Sequence, residues 1–210
     1  MKLTKIRFLG NSCIEIIGEK DHIILDPAFL SPPTKGIEKI FITHHHSDHI
    51  NLAKLSEIKE KFADNIDLDI YGPKSVKDEL KIDLKVLKSK DKVKLKNGKV
   101  RIYENNCWKA ENCLAYLLVV DNKYILHSAD SSKFSNALRN MRKRVDYCFV
   151  ACFEDNYSDY LKFLKDIGAG IAIPYHFDEE KTEMAKGLVK YLKDNNIIAR
   201  YIEIGKEFKI

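Results

Sequence analysis

A β-prone run that ends in a cluster of histidines constrains this chain more than anything else in it. Ile37-Glu38-Lys39-Ile40-Phe41-Ile42 is mostly apolar and reads as a buried strand. Thr43-His44-His45-His46-Ser47-Asp48-His49 follows at once. After it come Ile50, Leu52, Leu55, Ile58 and Phe62, whose spacing predicts an amphipathic helix over 50–63. Four of the seven histidines therefore fall on one strand-to-helix loop. Loops held by such a scaffold are where binding groups are displayed.

Imidazole nitrogen beside carboxylate oxygen suits zinc first, with manganese and iron as alternatives. His44 and His46 are two apart, so in an extended segment they point the same way and reach one ion. Asp48 and His49 lie where the chain turns into the helix and can face a second point. The spacing His-x-His-x-Asp-His thus accommodates one or two neighbouring ions. His45 points away from the pair. Asp48 also stands at a helix N-cap position, so capping is its alternative role.

At 210 residues and 45% hydrophobic content, one soluble domain spanning 1–210 is expected. A formal charge of +5 is too modest to signal a nucleic-acid partner by itself. No run approaches the roughly eighteen apolar residues that span a bilayer. Met1-Lys2-Leu3-Thr4-Lys5-Ile6-Arg7 enters an alternating strand without a signal-peptide core, which points to the cytosol. Five cysteines, an odd count without a Cys-x-x-Cys pair, argue against a disulfide framework and against a thiolate zinc knuckle. Cys113 and Cys148 read as small core residues.

Lys2 to Leu9, Ser12 to Ile17 and His22 to Leu25 read as three short strands, the third delivering Asp26-Pro27, with His22 at the surface. Leu68 to Tyr71 reads as a strand, with a helix starting at Lys74-Ser75. Asn97-Gly98 between alternating segments predicts a hairpin. Lys81 to Arg101 carries nine basic residues against two acidic ones, but Lys92, Lys94 and Lys96 alternate with Val93 and Leu95 as on the wet face of a strand. Cys113 to Val120 and Lys123 to His127 form a second hairpin leading to Asp130. A helix over 132–144, a strand over 145–152 and a helix over 157–167 follow. A strand over 170–174 leads to His176, then come a helix over 179–195 and a closing strand over 197–204. This order suits two sheets packed face to face with helices outside.

The run Thr43 to His49, preceded by Ile24-Leu25-Asp26-Pro27, resembles the metallo-β-lactamase superfamily. Tyr124-Ile125-Leu126-His127-Ser128-Ala129-Asp130-Ser131 and Ile171-Ala172-Ile173-Pro174-Tyr175-His176 continue the resemblance in the family's order over nearly the whole chain. Within it the chain looks most like small hydrolases related to ascorbate-6-phosphate lactonase. The resemblance implies an α/β, four-layer αββα sandwich. It implies a first metal position at His44 and His46, a second at Asp48, His49 and His176, and Asp130 bridging them. Asp26 would orient the loop by hydrogen bonding, or else serve only the turn.

The resemblance also implies chemistry: hydrolysis of an ester, lactone or phosphoester by a metal-bound hydroxide, with Asp48 and Asp130 orienting the water and a small molecule as substrate. Two departures stand against it. Family members place a further histidine between the hairpins, where this chain has Tyr103 to Asn112 and no histidine. Either Cys107 supplies a thiolate there, or the first position stays short of a donor. Asn11 stands where lactonase-like relatives carry histidine, which weighs against a specifically lactonase activity. Trp108 falls beside the expected site, lining a pocket or serving structure. The alternatives are a nuclease or phosphodiesterase acting on nucleic acid, supported only by the lysine-rich hairpin, and a degenerate, non-catalytic metal binder.

Overall fold

The computed structural model describes residues 3–63 and 68–210; the expected strand start at Lys2 lies outside them. Two mixed sheets pack face to face, each an antiparallel meander extended by parallel strands. In the first, β1 (Lys5–Phe8), β2 (Ile14–Ile17) and β3 (His22–Leu25) run antiparallel. β4 (Lys39–Phe41), β5 (Asp69–Gly72) and β6 (Lys85–Val86) then add parallel to β3. In the second, β7 (Lys92–Leu95), β8 (Gly98–Glu104), β9 (Leu114–Val120) and β10 (Lys123–His127) form the meander. β11 (Tyr147–Ala151) and β12 (Ile171–Tyr175) run parallel to β10.

Alternation in the first sheet decides what each face meets. Ile23, Leu25 and Phe41 point inward and join Val100, Ile102 and Leu118 of the second sheet in one core. Ile24, Ile40, Ile42 and Ile70 point outward against Leu55, Ile58 and Val76. Those three come from α1 (Leu52–Glu57), the wider helical turn after it, and α2 (Lys74–Leu80). β9 is covered on both faces, which is why all seven of its residues are apolar and buried. α4 (Tyr157–Ile167) and α5 (Thr182–Asp194) close the far side of the second sheet, α5 with Ala185, Leu188, Val189 and Leu192 on one stripe. The four-layer αββα sandwich is the architecture expected.

Several local expectations need correction. The turn between β7 and β8 is Lys96-Asn97, and Gly98 is already in β8. A Cβ on Gly98 would sit 1.8 Å from the Val119 carbonyl oxygen, so the glycine is required by the approach of β9. The helix expected over 132–144 is the single turn α3 (Asn136–Arg139). Ser135 ahead of it is held by Asn105 Oδ1, which accepts its N–H at 3.0 Å, and by the Glu104 carbonyl, which accepts its hydroxyl. The segment 197–204 makes only a bridge at Ala199 to Ala172. The chain then turns at Gly205 and returns as β13 (Glu207–Lys209) on the edge beside β1. Lys92 and Lys94 are solvent-facing, as alternation predicts.

His22 is not a surface residue but buried, because β2 places Glu15 opposite Ile24, two residues on and on the same face as His22. Glu15 is itself fully buried. It accepts from His22 Nε2 at 2.8 Å, from the Thr34 N–H at 2.7 Å and from the Arg7 guanidinium. Burial would raise its pKa, but the hydrogen bonds from His22 and Thr34, with the charge of Arg7, hold it below the usual carboxylate value. A depressed carboxyl pKa contributes stability above the unfolded value of about 4.3 and loses it as pH falls through the folded one. Glu15→Ala is therefore expected to cost about 3–5 kcal/mol in urea unfolding at neutral pH, with the deficit against wild type shrinking as pH drops below about 4.

Candidate metal centre

Each group expected at the site arrives from the carboxyl end of a strand, and the parallel pairings put those ends together. β4 runs on through Ile42, whose N–H donates to the Tyr71 carbonyl, into Thr43. There the Thr43 carbonyl accepts the N–H of Leu114 at 3.0 Å, and the Ile42 carbonyl accepts the Tyr116 hydroxyl at 2.6 Å. The two sheets are thus bonded to each other at the mouth of the histidine loop. The loop then tightens, with the N–H groups of His49 and Ile50 both donating to the His46 carbonyl. The helix cap is Asn51, whose Oδ1 accepts the Lys54 N–H; Asp48 is not the cap and is left for the site.

Asp26, at the end of β3, holds the loop from below. Its Oδ1 accepts the Thr43 N–H at 2.7 Å, and its Oδ2 accepts the Thr43 hydroxyl at 2.9 Å and His49 Nδ1–H at 2.8 Å. An ionised carboxylate only accepts, so the bond fixes the proton on His49 Nδ1 and turns Nε2 toward the cavity. His49 Nε2 stands 3.6 Å from Asp130 Oδ2 and has no hydrogen-bond partner; Asp130 Oδ1 likewise has none. Asp130 reaches this place because Ala129, at φ 56, reverses the chain just after β10. His176 follows β12 at φ 69 and places Nε2 3.1 Å from Asp48 Oδ2 and 3.8 Å from Asp130 Oδ2. Positive φ at Asp26, Ala129 and His176 is backbone strain gathered at one spot, as is common where geometry serves a site.

The donors fall into two groups, His44 with His46 and Asp130, and Asp48 with His49 and His176, each with its ligand atoms within 4.8 Å. Asp130 lies 3.8 Å from His44 Nε2 as well, between the groups. Bonds of about 2.1 Å at tetrahedral angles put neighbouring donors about 3.4 Å apart. The observed 3.6 and 3.8 Å separations, with His49 Nε2, His176 Nε2 and Asp130 Oδ1 left without hydrogen-bond partners, fit a divalent cation. All six residues expected as ligands are therefore brought together. His45 points away, toward Glu79, and His127 packs against Tyr175 outside the cavity.

The electrostatics match. Burial alone would raise Asp130 and lower His49, but each overrides the other's penalty. Asp130 is held well below the usual carboxylate range by His49, His44 and His176, while Asp26 and Asp130 lift His49 to about 10. Asp48 is pulled down chiefly by the His176 imidazole. Burial and the charge on His49 push His44 down to about 3. Asp26 and Asp130 thus hold a proton on His49, and a cation on its Nε2 would replace that charge.

Above the donors lies a cavity of about 880 Å³, walled by Trp108 and Phe153 and rimmed by Lys133, Lys181 and Asn156. Trp108 is the one wall residue singled out in the sequence; Phe153, Asn156, Lys133 and Lys181 belong to no motif, and no sequence signal marks them. Ser12, equally unmarked, donates its hydroxyl to the Asp48 carbonyl, and its neighbour Asn11 donates its N–H to the Phe177 carbonyl at 2.8 Å. Cys107 does line the cavity, but it is joined to Cys113 in a disulfide. This corrects both the expectation of unbridged cysteines and that of a free Cys107 thiolate. The loop folds back so that the two Cα atoms are 5.9 Å apart, which no Cys spacing announces.

The profile of the beta-lactamase superfamily domain matches residues 7–177, a span that contains every donor described above. The chain belongs to the metallo-β-lactamase superfamily. Among curated proteins, this superfamily member is 39% identical over 54 residues to one described as a metal-dependent hydrolase in Desulfitobacterium hafniense (strain Y51). That match spans 22% of this chain and 23% of the relative. A solved structure of a proposed metal-dependent hydrolase from Parabacteroides distasonis superposes with TM-score 0.78 at 19% identity, covering 96% of this chain and 93% of that one. CmlA of Streptomyces venezuelae, a diiron β-hydroxylase, superposes with TM-score 0.74 at 12% identity, covering all of this chain and 54% of that one. At such identities both likenesses concern the fold.

Outer partners of metal ligands commonly govern affinity by about 10–100-fold. Asp26→Ala, which frees His49 to rotate, is expected to weaken metal binding by that factor in competition with a chromophoric chelator, with the far-ultraviolet circular dichroism unchanged.

Proposed function

We propose that the protein is a metal-dependent hydrolase that cleaves an ester, lactone or phosphoester bond in a small molecule. The observation that carries this is Asp130, half-buried and ionised, set between two groups of donors with its Oδ1 and the Nε2 atoms of His49 and His176 left without hydrogen-bond partners. His44, His46 and Asp130 would hold one cation, and Asp48, His49, His176 and Asp130 a second. A cation held there supplies Lewis acidity to a carbonyl or phosphoryl oxygen and lowers the pKa of water from about 15.7 toward 7.

The chain's own groups do the rest. Asp130 and Asp48 have pKa values too low to retain a proton at neutral pH, so they orient the attacking water by accepting its hydrogen bonds. Asp48 is half-exposed and lines the cavity, so a proton leaving the water passes by it to solvent. Trp108 and Phe153 give the substrate an apolar wall, and Lys133 and Lys181 attract negative charge toward it. The lysines of β7 take no part in this cavity, which supports a small substrate over nucleic acid.

Zinc is the proposed metal, since imidazole and carboxylate donors at tetrahedral spacing suit it, with manganese and iron as alternatives. The diiron relative of the same fold is the reason to measure rather than assume. A non-catalytic metal binder is the second reading, favoured by the bridged state of Cys107. Among the described residues no helix is long and apolar enough to cross a membrane, and we place the protein's action in the cytosol.

The test is a screen of generic esters, lactones and phosphodiesters with zinc, manganese and iron, paired with elemental analysis. Hydrolysis is expected to vanish on chelation and return on metal addition. Asp130→Ala should lower kcat/KM by at least about 100-fold, in the upper range for groups that support a metal. Hydrolysis that survives both treatments would show that the donors serve some other purpose.

A further inference from the structure

The first metal position is one donor short. His44 and His46 bring two nitrogens, and their third partner, Asp130, is shared with the position of Asp48, His49 and His176. A centre that keeps a place for water usually draws three protein donors of its own. Apart from the donors already named, the described residues lining the cavity include one side chain of the His, Cys, Asp or Glu type, Cys107. Its sulfur, that of Cys113 and a ring nitrogen of His44 lie within 4.8 Å of one another.

The two sulfurs stand differently. Cys113 is buried, and its Sγ is 4.0 Å from His44 Nδ1, the nitrogen that faces Thr43 rather than Asp130. Cys107 is partly exposed at the cavity wall with His46 and Asp130. Joined to each other, neither offers a thiolate. The bridge closes only a short loop, and that loop has other anchors. The Asn105 N–H donates to the Cys113 carbonyl at 2.9 Å, Asn106 Nδ2 donates to the Lys133 carbonyl at 2.9 Å, and Cys107 pairs with Ala110. Opening the bridge therefore leaves Cys107 beside the cavity.

We propose that the Cys107–Cys113 disulfide is a redox gate on the first metal position: a dithiol reductant opens it, and the Cys107 sulfur then joins His44 and His46 as the third donor. The exchange balances. The dithiol gives up two electrons and two protons and becomes a disulfide, and Cys107 and Cys113 take them up as two thiols. Cys107 then releases its proton to solvent as its sulfur binds the cation, while Cys113 stays a buried thiol. Bridges that form in reducing compartments are usually transient and regulatory, as a gate requires. The oxidised protein holds a cation at the second position, and the reduced protein holds one at each. The inference rests on the two-position reading of the centre.

The test uses the full chain, stripped of metal, in an oxidised batch and in one reduced by dithiothreitol that is then removed without air. Each is titrated with cobalt(II) alone. Bound metal is counted by elemental analysis, and sulfur ligation is read from cobalt–thiolate charge-transfer absorption. A second equivalent of cobalt and the sulfur band are expected only in the reduced batch. Cys113→Ser, which cannot form the bridge, should show both without reductant, and Cys107→Ser should show neither in either state. A single equivalent without a sulfur band in both wild-type batches overturns the gate but leaves the second position standing. No cobalt in either batch overturns the gate together with the metal-centre reading. The wild-type comparison does not depend on any variant folding.

Discussion

A buried carboxylate with no solvent to turn to organises this molecule. Asp26 is wholly enclosed, so its charge must be met by the protein's own donors. Thr43 gives two and His49 one, and all three belong to the loop that carries the histidines. The requirement to satisfy Asp26 therefore shapes the loop as firmly as any packing does. It also selects the tautomer of His49 and the direction its free nitrogen faces. Local strain at Asp26 itself, with φ 50, is held by the same bonds.

The sandwich converts two separate sheets into one rim. β3 and β4 are parallel, as are β10, β11 and β12, so each sheet presents several carboxyl ends at one edge. Hydrogen bonds from Leu114 to Thr43 and from Tyr116 to Ile42 tie those edges together, and the Phe41 ring stacks on Tyr71 and tilts against Tyr116 beneath them. Side chains from four strand ends can then meet within a few ångströms without any long flexible loop. Rigid delivery of this kind is what places weakly interacting groups at ligand spacing.

Much of this is legible along the chain, and the boundary of legibility has a physical cause. His44, His46, Asp48, His49, Asp130 and His176 each follow an apolar run, so a strand end and a metal-ligating side chain coincide in sequence. The alternation of β7 and β8, the helix over 157–167 and the face of α5 are equally local signals. What escapes notice is settled by partners far away. His22 looks like a surface residue until Glu15 is paired beside it. The closing segment carries a strand's alternation, yet it meets β12 at Ala199 alone, and after the turn at Gly205 the chain crosses to the other sheet as β13 beside β1. Asn51 caps the helix in place of Asp48 because the loop tightens by a further turn on the His46 carbonyl, held from afar by Asp26 and Ser12. The cysteine pair is hidden too, since the exposed turn between them is closed by pairing of Cys107 with Ala110 and by the Ser75 hydroxyl donating to the Glu111 carbonyl.

The distance along the chain between Asp26 and His176 has a kinetic meaning. Contacts so remote in sequence close late, after the sheets that carry them have formed. Asn11 bonded to Phe177 adds a tie from the amino-terminal hairpin to the residue beside His176. The full set of donors therefore exists only where both sheets have docked, whereas the short ligand spacings of a zinc finger let the ion itself organise the fold. Loading becomes the last act of maturation, and an ion tightly held is itself a report that both halves of the sandwich have docked.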